Sequence, residues 1–170
     1  GRHAEAVAGL RQILAENPGM ADAWQQLGTA LQALGRFEEA YEAYRRSIEV
    51  SGGPGQLAVA VGSLLFDMGR LDEAEEHARL GMAVNPVGAE NLLAQVALAR
   101  DDLETAERHA RAALDAASSA RIMPLVTLAQ VLQAKGELDE ATKCADEAER
   151  QLLASGAKDP WPGLYLVRGD

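Results

Sequence analysis

Apolar residues recur along the chain at steps of three and four, with charged residues between them, a period typical of amphipathic helices. The segments from Trp24 to Leu34 and from Phe37 to Ile48 show the period most clearly. It predicts helices at 2–16, 20–34, 37–51, 56–68, 71–84, 89–100, 103–116, 120–135 and 138–154. The predicted fold class is therefore all-α.

Glycine and proline separate the predicted helices. Gly35, Gly69 and Gly136 stand where a helix must stop and reverse, and glycine takes the left-handed conformation needed there without strain. Acidic pairs follow these glycines and enter the first turn of the next helix, where they complement the positive end of its dipole. We expect Asn17-Pro18 and Asn85-Pro86 to end helices, because proline has no N–H to donate and disfavours helix in the preceding residue.

One short phrase recurs along the whole chain. It begins with glycine and closes with acidic-acidic-alanine or a near variant, as in Gly35-Arg36-Phe37-Glu38-Glu39-Ala40. Further copies start at Gly1, Gly69 and Gly136, and a copy without glycine starts at Asp101. The closing alanines are Ala6, Ala40, Ala74, Ala106 and Ala141, which lie 34, 34, 32 and 35 residues apart by subtraction. Such spacing predicts a repeated helix-turn-helix unit of about 34 residues.

The arrangement resembles the tetratricopeptide repeat family over about residues 1 to 154. Trp24-Gln25-Gln26-Leu27-Gly28 and Leu31 match the W-x2-L-G-x2-L opening of a unit, and Ala40-x3-Tyr44 completes it. The resemblance implies a right-handed superhelical stack of antiparallel helix pairs, an α-solenoid. It divides the chain into a half repeat at 1–18, repeats at about 21–54, 55–86, 87–121 and 122–154, and a cap or truncated further repeat at 155–170.

The resemblance weakens in three places. Repeat four has Asp101 instead of glycine and is two residues short, so we expect a changed angle between the third and fourth pairs. Gly1 begins in the middle of a repeat, which suggests a piece of a longer protein. Near the other end, Trp161 and Leu164 repeat the W-x2-L opening, so this tail either caps the stack or docks on a neighbouring molecule.

Charge and composition narrow the possible partners. The 26 acidic and 16 basic residues give a net charge of −10, which repels nucleic acid and anionic lipid headgroups. No apolar run approaches the roughly 18 residues of a membrane span, so we expect no direct membrane insertion. The single cysteine, Cys144, excludes an internal disulfide and slightly favours the cytoplasm, although the compartment stays open.

No residue set in the sequence predicts catalysis. His77, His109 and Cys144 share position 23 of their repeats when the closing alanine is position 20. Stacked helices lie about 8–10 Å apart, whereas zinc ligands must each come within about 2.3 Å of one metal, so packing residues are the favoured interpretation. The turn from Ser51 to Gly55 lacks the Lys-Ser/Thr of a phosphate loop. We therefore predict a protein that is not an enzyme, with no cofactor and no metal.

The family resemblance implies that the first helix of each pair lines a concave groove and contacts ligands. By register, the contact positions are Asp22, Gln25, Thr29, Gln32 and Ala33, then Gln56, Val59, Ser63, Phe66 and Asp67, then Asn91, Gln95 and Leu98, and finally Val126, Gln130 and Gln133. None is basic, whereas the subgroup that holds acidic C-termini uses a clamp of Lys, Asn and Arg. A neutral or basic extended peptide, or an amphipathic helix, is the predicted ligand. The alternative that these side chains merely solvate the groove stays open.

The leading prediction is a protein-protein interaction scaffold. Two alternatives remain: an accessory domain of a larger, possibly enzymatic chain, and a self-association module that forms a homo-oligomer through its terminal repeats.

Overall fold

The computed structural model describes residues 2–119 and 121–156. These residues form α-helices, one short 3-10 helix at Gly55–Leu57 and no strand. The helices are α1 (Arg2–Glu16), α2 (Ala21–Ala33), α3 (Phe37–Ser51), α4 (Ala58–Asp67), α5 (Leu71–Gly81), α6 (Pro86–Ala99), α7 (Leu103–Ala116), α8 (Ile122–Ala134) and α9 (Leu138–Ala154). The all-α prediction is confirmed. The tail with Trp161 and Leu164 lies outside the described residues, as does the start of the chain at Gly1.

The helices belong to two compact units, Gly1–Val84 and Asn85–Asp170. In the first unit α2 pairs with α3 and α4 pairs with α5, while α1 packs on α2. In the second unit α6 pairs with α7 and α8 pairs with α9, and α8 also contacts α6 and α7. Each pair is joined by a tight turn and is an antiparallel helical hairpin. Within the described residues, no helix is long and apolar enough to cross a membrane.

Most predicted helix bounds agree with the structure to within two residues, but the α5–α6 junction does not. Helix α5 ends at Gly81 rather than at 84, and α6 begins at Pro86 rather than at 89. The side chain of Asn85 caps α6 by accepting a hydrogen bond of 2.9 Å from the Gly88 amide. Pro86 occupies the first helical position, where its missing N–H costs nothing. Asn85-Pro86 therefore starts a helix, whereas the sequence pattern predicted only that it ends one.

The turns inside the pairs have the left-handed geometry that the sequence predicted. Gly35, Gly69 and Gly136 have φ of 70°, 75° and 82°. Asp101 replaces glycine in the fourth repeat and still adopts φ of 62°. The amide of the next residue, Asp102, donates to the Ala97 carbonyl at 3.0 Å, matching the bond from Arg36 to the Leu31 carbonyl. The turn of the fourth repeat thus keeps its hydrogen bonding without glycine, because aspartate tolerates this conformation better than most residues.

A stripe of small residues on each second helix lets the paired helices approach closely. We call it the inner stripe: the closing alanine of the phrase and the residues four and seven positions later. Its members in the four complete pairs are all buried: Ala40, Tyr44 and Ser47; Ala74, Ala78 and Gly81; Ala106, Ala110 and Ala113; Ala141, Ala145 and Ala148. The bulky exception, Tyr44, is matched by Gly28 on α2, where an added Cβ would lie 2.7 Å from the tyrosine ring.

We predict that Asp101→Gly increases the free energy of unfolding by about 0.5–1 kcal/mol, because glycine adopts positive φ without the steric cost of a side chain. The reciprocal change Gly136→Asp should lower it by about 1 kcal/mol. Urea unfolding followed by circular dichroism measures both. Asp115→Gly, inside helix α7, is the matched control and should destabilise the protein. If Asp101→Gly destabilises the protein as much as this control, left-handed strain at Asp101 is refuted.

Candidate binding surface

In the first unit, a hydrogen bond joins the first helices of two neighbouring repeats. Gln32 on α2 donates from Nε2 to Oδ2 of Asp67 on α4 at 2.9 Å. The Tyr44 hydroxyl donates to Oε1 of the same glutamine at 3.3 Å, so both ends of the amide are held. Two residues predicted by register, 35 positions apart in sequence, therefore form one polar bridge.

Thr29 extends this bridge toward the start of α2. Its Oγ1 lies 3.1 Å from the Tyr44 hydroxyl and 3.2 Å from the Gln25 carbonyl, to which it donates. Burial raises the pKa of Tyr44, and the hydrogen bond with Thr29 only partly opposes this. The phenol is protonated at neutral pH, as an ordinary tyrosine is, and donates to Gln32. The buried Tyr44 hydroxyl therefore contacts the side chains of two predicted surface residues, Thr29 and Gln32.

Three other predicted residues surround one cavity in the same unit. Asp22, Gln25 and Gln56 line a space of about 320 Å³. The far wall is the turn from Ser51 to Gly55, which joins the second and third repeats. The Ser51 hydroxyl lies within hydrogen-bonding distance of the Ile48 and Gly53 carbonyls, so this turn is internally bonded. The register identified the residues on one side of this cavity but not the turn on the other.

The remaining predicted residues of the first unit lie along the same helices. Val59, Ser63 and Phe66 on α4 are each partly exposed, and Ala33 on α2 is exposed. Asp22 and Asp67 are also exposed and supply the negative charge of this surface. We use "first-helix surface" for the exposed or partly exposed register residues of α2 and α4 with Gln56.

In the second unit the predicted residues are less accessible. Asn91, Gln95 and Leu98 on α6 and Gln130 and Gln133 on α8 are partly exposed. Val126 is only 2% exposed and belongs to the hydrophobic cluster of α8 and its neighbours, so its assignment to a contact surface is corrected to the core. The register misplaced it because the α8 sequence is apolar on nearly every side.

Two buried polar atoms stand out in this second unit. The Asn91 Oδ1 and Thr127 Oγ1 atoms are buried and have no hydrogen-bond partner in the described structure. Thr127, next to Val126, was not among the residues that the register selected. A buried polar group without a partner is costly, so these atoms mark the least satisfied part of the unit.

An apolar cavity of about 390 Å³ lies on another side of the first unit, between α1, α2 and α3. Leu14, Trp24, Leu27, Leu31 and Ala43 are among its lining residues. An ion pair of 2.7 Å between Arg11 and Glu39, which also line the cavity, links α1 to α3. The sequence analysis did not predict this cavity. A signal for it exists at position 23 of the repeat, where the small Ala43 lines the cavity, whereas the next three repeats have a larger side chain there.

Those larger residues at position 23 occupy separate environments. His109 Nδ1 lies 2.6 Å from Oε2 of Glu90, a partly buried pair within the second unit. His77 Nδ1 is buried without a partner. Cys144 packs against a hydrophobic cluster, and burial raises the pKa of its thiol. Among the described residues no group of three His, Cys, Asp or Glu side chains could hold a metal ion.

Comparison with known proteins agrees with the repeat pattern. Residues 1–53 match the family model described as Tetratricopeptide repeat. No curated protein sequence matches the chain.

Several solved structures share the fold. Cut9, from the APC/C hetero-tetramer Cut9-Hcn1, is 18% identical with a TM-score of 0.76, and the alignment covers 97% of this chain and 33% of that one. PilW, a type IV pilus biogenesis factor, is 17% identical with a TM-score of 0.77, covering 88% and 70%. MamA 41-end from Desulfovibrio magneticus RS-1 is 17% identical with a TM-score of 0.71, covering 92% and 89%. This chain thus spans a third of the Cut9 chain but most of the MamA chain.

We predict that His77 makes the protein less stable in mild acid. Burial lowers the pKa of folded His77, although Glu76 and Glu73 oppose the shift. The unfolded chain therefore takes up the proton first, and stability is lost as the pH falls below the ordinary histidine value of about 6.5. Urea unfolding of wild type and His77→Leu between pH 7.5 and 5.5 measures the effect. The wild type should lose more stability than the variant over this range, and parallel losses would contradict the assignment.

Proposed function

We propose that this chain, which has the tetratricopeptide-repeat fold, is an interaction scaffold that holds a neutral or basic peptide, extended or helical, on its first-helix surface. The observation that carries the proposal is the bridge between Gln32 and Asp67. It places an amide and a carboxylate from neighbouring repeats next to each other in a fixed geometry. A fixed array of donors and acceptors binds a peptide backbone at lower entropic cost than a mobile one.

The chemistry of the surface favours peptide as ligand. Gln25 is exposed, and its side chain offers both a donor and an acceptor to a passing main chain. Phe66 on α4 is partly exposed and supplies an apolar contact. Polar groups that pair with the backbone, combined with an apolar anchor, match the pattern of known peptide-recognition surfaces.

The charge of the surface favours a basic over an acidic ligand. The exposed carboxylates are Asp22 and Asp67, and no lysine or arginine occupies the register positions. The whole chain carries a net charge of −10, which slows the approach of acidic segments and speeds that of basic ones. The absence of basic groups at these positions also argues against the clamp of Lys, Asn and Arg by which one subgroup of tetratricopeptide repeats holds acidic C-termini.

The cavity beside Asp22 gives the proposal a second contact. Its volume of about 320 Å³ accommodates one long side chain of the ligand. A lysine or arginine entering it would meet the Asp22 carboxylate and the amides of Gln25 and Gln56. Charge-assisted hydrogen bonds of this kind are roughly twice as strong as neutral ones. We therefore assign the cavity to a basic side chain of the bound peptide.

The similar structures support the general part of the proposal. PilW is described as a pilus biogenesis factor, and Cut9 is part of a hetero-tetramer. Both descriptions concern assembly with other proteins. A helical scaffold that presents polar side chains on one set of helices suits the same kind of role here.

We predict that selection of a displayed library of random peptides on the immobilised protein enriches sequences with lysine or arginine and depletes those with aspartate or glutamate. The double variant Asp22→Lys/Asp67→Lys should weaken the selected peptides at least about tenfold, because it reverses the charge at two direct contacts. Fluorescence polarisation measures the affinities.

Glu38→Lys is a matched control, since Glu38 is an exposed acid on the second helix α3. It changes the net charge by half as much as the double variant but lies off the first-helix surface. Glu38→Lys/Glu5→Lys matches the double variant in charge. Enrichment of acidic peptides, or an equal loss of peptide affinity in both double variants, would contradict the proposal.

A further inference from the structure

The apolar cavity of the first unit is formed by three described helices. Helices α1 and α3 each pack on α2, and the cavity lies between all three. Leu14 on α1 and Leu27 and Leu31 on α2 line it and are otherwise buried. In a complete pair the first helix covers the inner stripe of its second helix, and no inner-stripe position of α1 lines this cavity. The cavity consequently belongs to the face of α1 that packs on α2, not to the face that a first helix of the same repeat would cover.

An aromatic ring with a fixed orientation forms part of the cavity wall. Trp24 lines the cavity, is partly exposed, and donates from Nε1 to the Pro18 carbonyl at 2.8 Å. Trp24 is at position 4 of its repeat, and Ala43 is at position 23. The same two positions of the fourth repeat hold Glu90 and His109, whose side chains are in contact, so Ala43 lies beside Trp24. A small residue next to a fixed ring leaves a preformed apolar space.

An ion pair crosses this cavity from α1 to α3. Arg11 and Glu39 both line the cavity, and the Arg11 Nη2 atom lies 2.7 Å from Oε2 of Glu39. Both side chains are about half exposed, so the pair lies at the solvent side while α2 forms the floor. The pair narrows the opening between the two walls. A folded helix would not pass through this opening, whereas a slender chain would.

The Glu39 carboxylate does not depend on Arg11. Arg36 binds it with two hydrogen bonds of 2.7 Å, from Nε to Oε1 and from Nη2 to Oε2. Arg36 is also the main cause that holds the pKa of Glu39 below its ordinary value, and Arg11 contributes less. A guanidinium has five N–H donors, and among the described residues Arg11 uses one of them, toward Glu39. Arg11 can therefore bind a further carboxylate while Glu39 stays paired.

The second carboxylate at the cavity is neutralised as well. Glu42 pairs with Arg45 at 2.6 Å and with Arg46 at 3.4 Å, and both arginines also pair with Glu49. Together with the ion pairs of Glu39, this set contains four arginines and three glutamates. The set has one positive charge in excess, although the whole chain is acidic. An anionic group at the opening therefore meets a local attraction.

We propose that the apolar cavity binds a carboxylic acid with an unbranched apolar chain, which enters past the Arg11–Glu39 pair. The chain lies against Trp24 and the leucines, and the carboxylate stays at the opening, where it accepts charge-assisted hydrogen bonds from Arg11. The volume of about 390 Å³ suits a small ligand, and such sites combine an apolar lining with a few polar groups that fix its orientation. A ligand with one charged head and one apolar chain uses both features.

This inference is independent of the proposed function. No residue that lines the apolar cavity belongs to the first-helix surface. The proposed peptide is neutral or basic, whereas this ligand is acidic. Loss of one ligand with retention of the other is therefore measurable in each variant below.

A series of acids tests the apolar part of the site. The protein is titrated with hexanoate, octanoate, decanoate and dodecanoate below their micelle-forming concentrations. Calorimetry gives the dissociation constants, and Trp24 fluorescence in a Trp161→Phe background reports occupation of the cavity itself. Affinity should rise about three- to fourfold for each added CH2 until the cavity is full, which is the gain expected from burial of one CH2.

Arg11→Met tests the charged head, because it removes the guanidinium and keeps an apolar stem. It should weaken decanoate at least about tenfold and change the affinity for decanol, which lacks the carboxylate, by less than about twofold. Arg46→Met is the matched control, since Arg46 is an exposed arginine of the same ion-pair set that does not line the cavity. It should weaken decanoate by less than about threefold.

Ala15→Phe tests the location of the site. Ala15 is an exposed residue of α1 that lines the cavity, so the larger ring should fill the space and abolish binding of both decanoate and decanol. Ala8→Phe is the matched control, because Ala8 is an exposed alanine about two turns earlier on α1, outside the lining. Its affinity should equal that of the wild type. Circular dichroism should show folded protein for both variants, since both positions are exposed.

Several results would overturn the inference. They are an absence of saturable binding of every acid by the wild type, equal affinity of wild type and Arg11→Met for decanoate, and unchanged affinity in Ala15→Phe. Tighter binding of a short peptide with a free C-terminal leucine than of decanoate would also overturn it, because that result assigns the cavity to the C-terminus of a partner protein.

Discussion

Close approach of paired helices at the inner stripe is the constraint on which the rest of the structure depends. Alanine and glycine at these positions bring two helices near enough for the larger residues on either side to interlock. Each small side chain buries little area alone, so stability comes from repeating the contact along the chain. The number of residues between successive closing alanines is therefore the length of one helix pair with its connecting turns. One bulky residue, Tyr44, fits because Gly28 faces it and because its hydroxyl is bonded to Thr29 and Gln32.

The dependence of the fold on this repeated local contact explains which features the sequence could predict. The inner stripe, the glycine turns and the three-to-four period are local signals, and they gave the fold class and most helix bounds. The α5–α6 junction was misread because Asn85-Pro86 carries two local signals: proline ends a preceding helix, and asparagine as N-cap with proline at the first helical position starts the next one. Asp101 meets a local requirement without the usual residue, since its φ of 62° is the left-handed value that glycine adopts in the other turns.

The candidate site was predictable only in part. Register placed Gln32 and Asp67 on first helices, but the hydrogen bond between them depends on the distance between two repeats, which no local pattern encodes. The cavity beside Asp22 depends on the path of the turn from Ser51 to Gly55. Val126 was misassigned because register alone cannot tell a groove position from a core position on a helix that is apolar on nearly every side.

A first helix in this architecture has two tasks. Its inward side covers the inner stripe of the second helix, and its outward side presents polar groups such as Gln25 and Thr29. Surfaces of the two kinds select different partners. Small residues opposite large ones demand another helix at close range, whereas amides and carboxylates favour a peptide main chain and basic side chains. Helix pairing and the proposed ligand binding thereby use different sides of the same helix.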